Sequence, residues 1–190
     1  MDELKHKDMV FELNPIHTEW GDWCYSPQLY FHGEKDIPGA QYNVGWQIFA
    51  KPVHWLEKYP HFHREEEYLV FINADLYHPE EFDAEIELWL GYDVNNMEKH
   101  IITKPTIVRI PGSMWHCPMD FIRIDKPILF QAVYLGGTSG RVSRQFDEDG
   151  KEQFIYGGPE IRPNRGCKLD PNKKECTGCG KCMRLENEGK

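Results

Sequence analysis

From residue 41 onward, apolar residues come in short runs separated by turn residues, and nothing resembling a helical period competes with them. The runs are Tyr42 to Phe49, Glu67 to Ile72, Ala84 to Leu90, His100 to Thr103, Thr106 to Ile110, Asp120 to Ile124 and Ile128 to Leu135. Runs of this length and spacing predict strands of a sandwich or barrel. Glu85 to Leu90 opens with alternating polarity, as a half-buried strand should. Pro105, Pro111 and Pro127 stand at the edges of runs, where a missing N–H is tolerated. One helical turn is predicted, over Pro79 to Asp83, where proline suits the first helical position and carboxylates favour the positive end of the dipole.

The flanks differ from this core. Residues 1–40 are polar with scattered aromatics (Trp20, Trp23, Tyr25, Tyr30, Phe31), and these are expected to pack across the barrel or a neighbouring subunit. The sequence therefore divides into an N-terminal arm (1–40), a barrel core (41–136), a loop-rich extension (137–166) and a Cys-rich tail (167–190). A chain of 190 residues suits one domain with an appendage.

The chemistry is concentrated in two places. His61, His63 and Glu67 are all odd-numbered, so in an extended strand their side chains share a face that Leu69 and Phe71 continue as apolar wall. Two imidazoles and a carboxylate beside apolar neighbours are costly to bury unless a divalent cation compensates them together. Reading the pair as ordinary surface histidines leaves the shared face unexplained. A fourth ligand is offered by Pro111-Gly112-Ser113-Met114-Trp115-His116, a tight turn that delivers His116 to the start of another strand. Glu65 and Glu66 read as a solvated acidic run.

On these residues the chain resembles the cupin superfamily, whose first motif carries H-x-H-x3-E and whose second carries P-x-G-x2-H. The match falls on His61, His63, Glu67, Pro111 and His116 and spans roughly residues 41–136. Ala74 and Ser113 stand where the motifs have Gly, Asp120 stands in place of a trailing Asn, and the leading Gly of each motif is missing. The resemblance implies a double-stranded β-helix, commonly dimeric, with the four ligands holding one iron, manganese, nickel, copper or zinc ion. The donor set alone does not choose among these metals.

The second place is the tail, where Cys167 precedes Cys176-Thr177-Gly178-Cys179-Gly180-Lys181-Cys182. The triplet resembles the cluster-binding segment of bacterial-type ferredoxins, with Met183-Arg184 where that motif continues to its fourth Cys and Pro. Cys167 is then the required fourth ligand. A [4Fe-4S] cluster, a structural zinc and a tail of unligated thiols all remain open. Cys24 and Cys117 read as isolated thiols.

Among polar residues in or beside the strands, Gln47, His54, Arg109 and Gln131 are candidates for orienting a substrate, with Arg109 expected to point outward more readily than inward. His17, His32, His78 and His100 have no partner identifiable from spacing, and Trp115 and Met114 read as packing residues.

Lys and Arg number 22 against 31 Asp and Glu, for a net charge of −9, with no basic stripe. This charge balance argues against nucleic acid and anionic membrane as partners. No window approaches the roughly 18 apolar residues of a membrane span, and Met1 to Lys7 is charged with no signal-like run behind it, so a cytoplasmic protein is expected. These features lead to an expected metal-dependent enzyme that isomerises, cleaves, decarboxylates or oxygenates a small polar or acidic metabolite. The alternative is a non-catalytic metabolite or redox sensor that uses the same barrel and signals through the tail to an electron-transfer partner.

Overall fold

A computed structural model describes residues 5–6, 9–17, 21–137 and 139–157. Twelve strands follow one another: β1 (Leu29–His32), β2 (Asn43–Phe49), β3 (Val53–Glu57), β4 (His61–His63), β5 (Glu66–Asn73), β6 (Ala84–Gly91), β7 (Glu98–Ile102), β8 (Thr106–Ile110), β9 (Trp115–Ile124), β10 (Ile128–Leu135), β11 (Arg141–Phe146) and β12 (Glu152–Gly157). They form two sheets of antiparallel pairs. The first runs β1-β2-β10-β5-β8, and the second runs β12-β11-β4-β9-β6-β7 with β3 also paired to β9. This is the mostly β, jelly-roll-like barrel expected from the spacing of the runs.

Alternation decides which side chains enter the barrel. Along β5 every second residue from Glu67 to Asn73 is buried, and along β6 Ala84, Ile86 and Leu88 are buried between half-exposed Glu85 and Glu87. At one end the interior is filled by aromatics: Phe49 stacks on Phe121 at 4.3 Å, and Phe130 meets Phe49 edge-on at 5.7 Å. The other end holds the polar residues described below.

Three sequence expectations meet a different structure. His61 and His63 do not share a strand with Glu67: the chain leaves the second sheet after β4 and enters the first at β5. All three side chains are nevertheless buried, because both sheets present an inner face to the same interior. The helical turn expected over Pro79 to Asp83 is absent. Two separate turns close instead, His78 N to Asp75 O (3.0 Å) and Glu81 N to His78 O (3.1 Å), and the Asn73 side-chain amide also donates to His78 O. Within the extension read as loop-rich, β11 and β12 form a hairpin turned at Asp147 to Gly150, and β11 pairs with β4. The N-terminal arm lies against the barrel: it supplies β1 as an edge strand on β2, and Cys24 bridges Phe49.

Candidate metal centre

Register builds the site before any side chain is considered. His61 on β4 lies directly across from His116 on β9, and the two rings are 4.2 Å apart. The turn ahead of His116 is fastened to the end of β4: Ser113 N–H donates to His63 O at 2.7 Å, and Met114 N–H donates to Pro111 O at 3.0 Å. Gly112 fits here because a Cβ would fall 2.3 Å from the backbone oxygen of Arg64. Ser113 adopts φ 68°, in the region glycine favours. The neighbouring first sheet places Glu67 opposite Tyr134 on β10.

The three imidazoles are held alike. Nδ1 of His61 donates to Tyr59 O (3.0 Å), Nδ1 of His63 to Gly140 O (3.0 Å) and Nδ1 of His116 to Met114 O (3.2 Å). These bonds occupy Nδ1 of each ring and leave Nε2 as the nitrogen a metal would take, the orientation metal-ligating histidines adopt. One ring nitrogen from each of the three residues falls within a mutual 4.8 Å. Oε2 of Glu67 approaches His116 Nε2 at 3.1 Å and His63 Nε2 at 3.6 Å.

Charge states follow from burial. Desolvation holds the His61 ring well below its ordinary pKa and also lowers that of His63, so both are neutral at pH 7. Burial pushes the Glu67 carboxyl up, but His116, His63 and a hydrogen bond from Tyr134 outweigh it and leave the group below its usual range. The result is a buried carboxylate beside the neutral imidazoles of His61 and His63. Nε2 of His63, Nε2 of His116 and Oε2 of Glu67 are buried without a hydrogen-bond partner. Buried acceptors facing one another are unfavourable by themselves, and a divalent transition metal satisfies all of them, so the donor set fits such an ion.

The cluster forms part of the wall of a cavity of about 460 Å³. Leu69, Met119, Phe130 and Ala132 supply apolar lining, and Tyr30, Asn43 and Gln47 supply polar lining. Gln47 donates to the Tyr30 hydroxyl at 2.9 Å, and Tyr30 donates to Gln28 at 2.5 Å.

Of the four residues considered for substrate contact, Gln47 lines the cavity and the other three do not. Gln131 points away because Phe130, Ala132 and Tyr134 take the inward positions of β10. Arg109 is 61% exposed and paired outside with Glu66 at 2.5 Å. His54 is 62% exposed and meets Asp120 at 3.1 Å. Sequence reasoning did not single out Tyr134, Glu57 or Arg141, all of which line the cavity. Cys117 lines it as well, with its thiol pKa pushed well up by burial. Cys167, Cys176, Cys179 and Cys182 lie outside the described residues.

No protein-family model matches the chain, and no curated protein matches it by sequence. Among solved structures it is similar to oxalate decarboxylase from Bacillus subtilis, with 12% identity and a TM-score of 0.45 over 68% of this chain and 29% of that one. It is also similar to a Lactobacillus farciminis oxalate decarboxylase formate complex (15%, TM-score 0.44, 69% and 33%). A third is hydroxypropylphosphonic acid epoxidase from S. wedmorenis (10%, TM-score 0.41, 65% and 55%). The chain thus spans about a third of the length of the decarboxylases and about half that of the epoxidase. Among the described residues no helix is long and apolar enough to cross a membrane.

Proposed function

We propose that this chain is a mononuclear metal-dependent enzyme acting on a small polar or acidic metabolite. The observation that carries the reading is the set of unpartnered buried polar atoms, His63 Nε2, His116 Nε2 and Glu67 Oε2, in the wall of a cavity large enough for a metabolite. His61, His63, His116 and Glu67 would hold the ion, which when bound supplies Lewis-acid or redox activation of a substrate oxygen. The protein contributes the rest. Backbone carbonyls at Tyr59, Met114 and Gly140 keep the imidazoles oriented, and Tyr134 keeps the carboxylate in place. The apolar lining at Leu69, Met119, Phe130 and Ala132 lowers the local polarity, which strengthens polar contacts made beside it. Gln47 and Tyr30 offer a hydrogen-bonding surface away from the ligands.

The test is elemental analysis of anaerobically purified wild type beside His63→Ala and His116→Ala, with turnover assayed over a panel of small carboxylic acids and polar metabolites. Stoichiometric metal in wild type, lost in both variants together with substrate consumption, is the expected result. A wild type that holds no transition metal after reconstitution would overturn the reading.

A further inference from the structure

The cavity has one cationic side chain among the described residues that line it, and the fold places it beside the ligands. Strand β11 pairs with β4 so that Arg141 lies across from His63 and Ser143 across from His61. Directly paired residues of neighbouring strands project to the same face. Arg141 therefore stands one strand over from a proposed ligand and lines the cavity, and its charge reaches both the His61 and His63 rings. Nη1 of Arg141 donates to Glu57 Oε2 at 3.0 Å, and Glu57 also lines the cavity. Both side chains are partly exposed, at 40% and 38%, so they sit where the cavity meets solvent. Nε and Nη2 form no hydrogen bond with another described residue. An arginine held by one of its nitrogens keeps the remainder of its donor fork for a planar anion.

We propose that Arg141, steadied by Glu57, is the specificity-determining anchor for a substrate carboxylate, and that the site takes small organic acids with a second oxygen-bearing group a few bonds away. This rests on the proposed function above. Charge supports it. A dication among three neutral imidazoles and one carboxylate leaves the ligand cluster at net +1, and the Arg141–Glu57 pair adds nothing to that sum, so an anion is the complementary ligand. Geometry supports it as well, because Arg141 lies across from His63 on the neighbouring strand and both line the same cavity. Leu69, Met119, Phe130 and Ala132 then receive the carbon skeleton between or beyond its polar ends. Glu57 is a positioning residue: it orients the fork and does not itself take the carboxylate.

The experiment pairs a change in the residue with a change in the ligand. Calorimetric titrations use the full chain, with bound metal quantified in each sample, against the C3 to C6 α,ω-dicarboxylates and their half-amides. Wild type, Arg141→Gln, Arg141→Lys and Glu57→Gln are compared, each with its metal and again after chelator treatment. For the best-fitting dicarboxylate, wild type is expected to lose about tenfold or more in affinity when one carboxylate becomes an amide. Arg141→Gln should bind the acid and half-amide within about twofold of each other, Arg141→Lys should discriminate partially, and Glu57→Gln should discriminate but bind both more weakly. Folding of the variants is read from their metal content and circular dichroism. If no dicarboxylate binds wild type better than Arg141→Gln, or if Arg141→Gln keeps the full discrimination, the anchor assignment is overturned. If wild type holds no metal yet the Arg141-dependent discrimination persists, the anchor stands and the metal reading alone falls.

Discussion

Replacing Glu67 by Gln should stabilise the metal-free protein and destabilise the loaded one relative to wild type. In the metal-free state each imidazole commits its Nδ1–H to a backbone carbonyl, and Nε2 of His63 and of His116 lie 3.6 and 3.1 Å from Oε2 of Glu67. None of these three buried atoms has a hydrogen-bond partner. A glutamine amide nitrogen in place of Oε2 donates to His116 Nε2, while its oxygen still accepts from Tyr134. Satisfying a buried group of this kind recovers about 1–3 kcal/mol. For a domain this size each kcal/mol shifts Tm by about 2–4 °C, so the variant should melt about 2–12 °C higher. With metal the order reverses. An ion present at about 1,000 times its Kd stabilises its protein by about 4 kcal/mol, and the variant, lacking a charged ligand, should gain much less. The assay is differential scanning calorimetry at pH 8, above the ordinary imidazole range, with chelator and then with added metal. A chelated variant that melts at or below chelated wild type would refute the claim that these acceptors are unsatisfied.

Other outcomes follow from particular residues. Ser113, at φ 68°, occupies a backbone conformation that costs an L-residue about 1–2 kcal/mol; Ser113→Gly should raise stability by up to about 1 kcal/mol in urea unfolding, after the glycine's greater unfolded entropy is subtracted. Phe121 is fully buried and stacked on Phe49, so Phe121→Ala should lose about 3–5 kcal/mol in the same assay. His61 and His63 have lowered pKa values in the fold, so below about pH 6.5 the unfolded chain binds more protons than the folded one. The stability of the chelated protein should accordingly fall as pH drops from about 6.5, by up to about 1.4 kcal/mol per pH unit for each group, and His61→Asn should flatten the slope in pH-dependent unfolding.

The residues that were legible in the sequence are those whose local pattern carries the information. Glu85 to Leu90 shows its burial in its alternation, and the turn ahead of His116 is marked by Pro111 and Gly112. The parity that joined His61, His63 and Glu67 assumed one strand, whereas the chain changes sheets and the two inner faces bring the three side chains to the same interior. Strand β10 shows why Gln131 and Tyr134 were not separable. Its outward neighbours include Trp46 and Val70, so both faces of the strand are apolar and parity has no visible sign. Arg141 and Glu57 were illegible for a different reason: each acquires its meaning from a non-local pairing, β11 with β4 and β3 with β9, which no local period encodes.

The change of sheet between His63 and Glu67 has a mechanical side. Three imidazoles ride on the second sheet and move together, while the carboxylate rides on the first. Small excursions of one sheet against the other would leave the His61–His63–His116 triangle nearly rigid and alter chiefly its distance to Glu67. With an ion held as proposed, breathing of the barrel would change the number of protein atoms gripping it, and the ion in turn would act as a rivet that resists the sheets sliding apart.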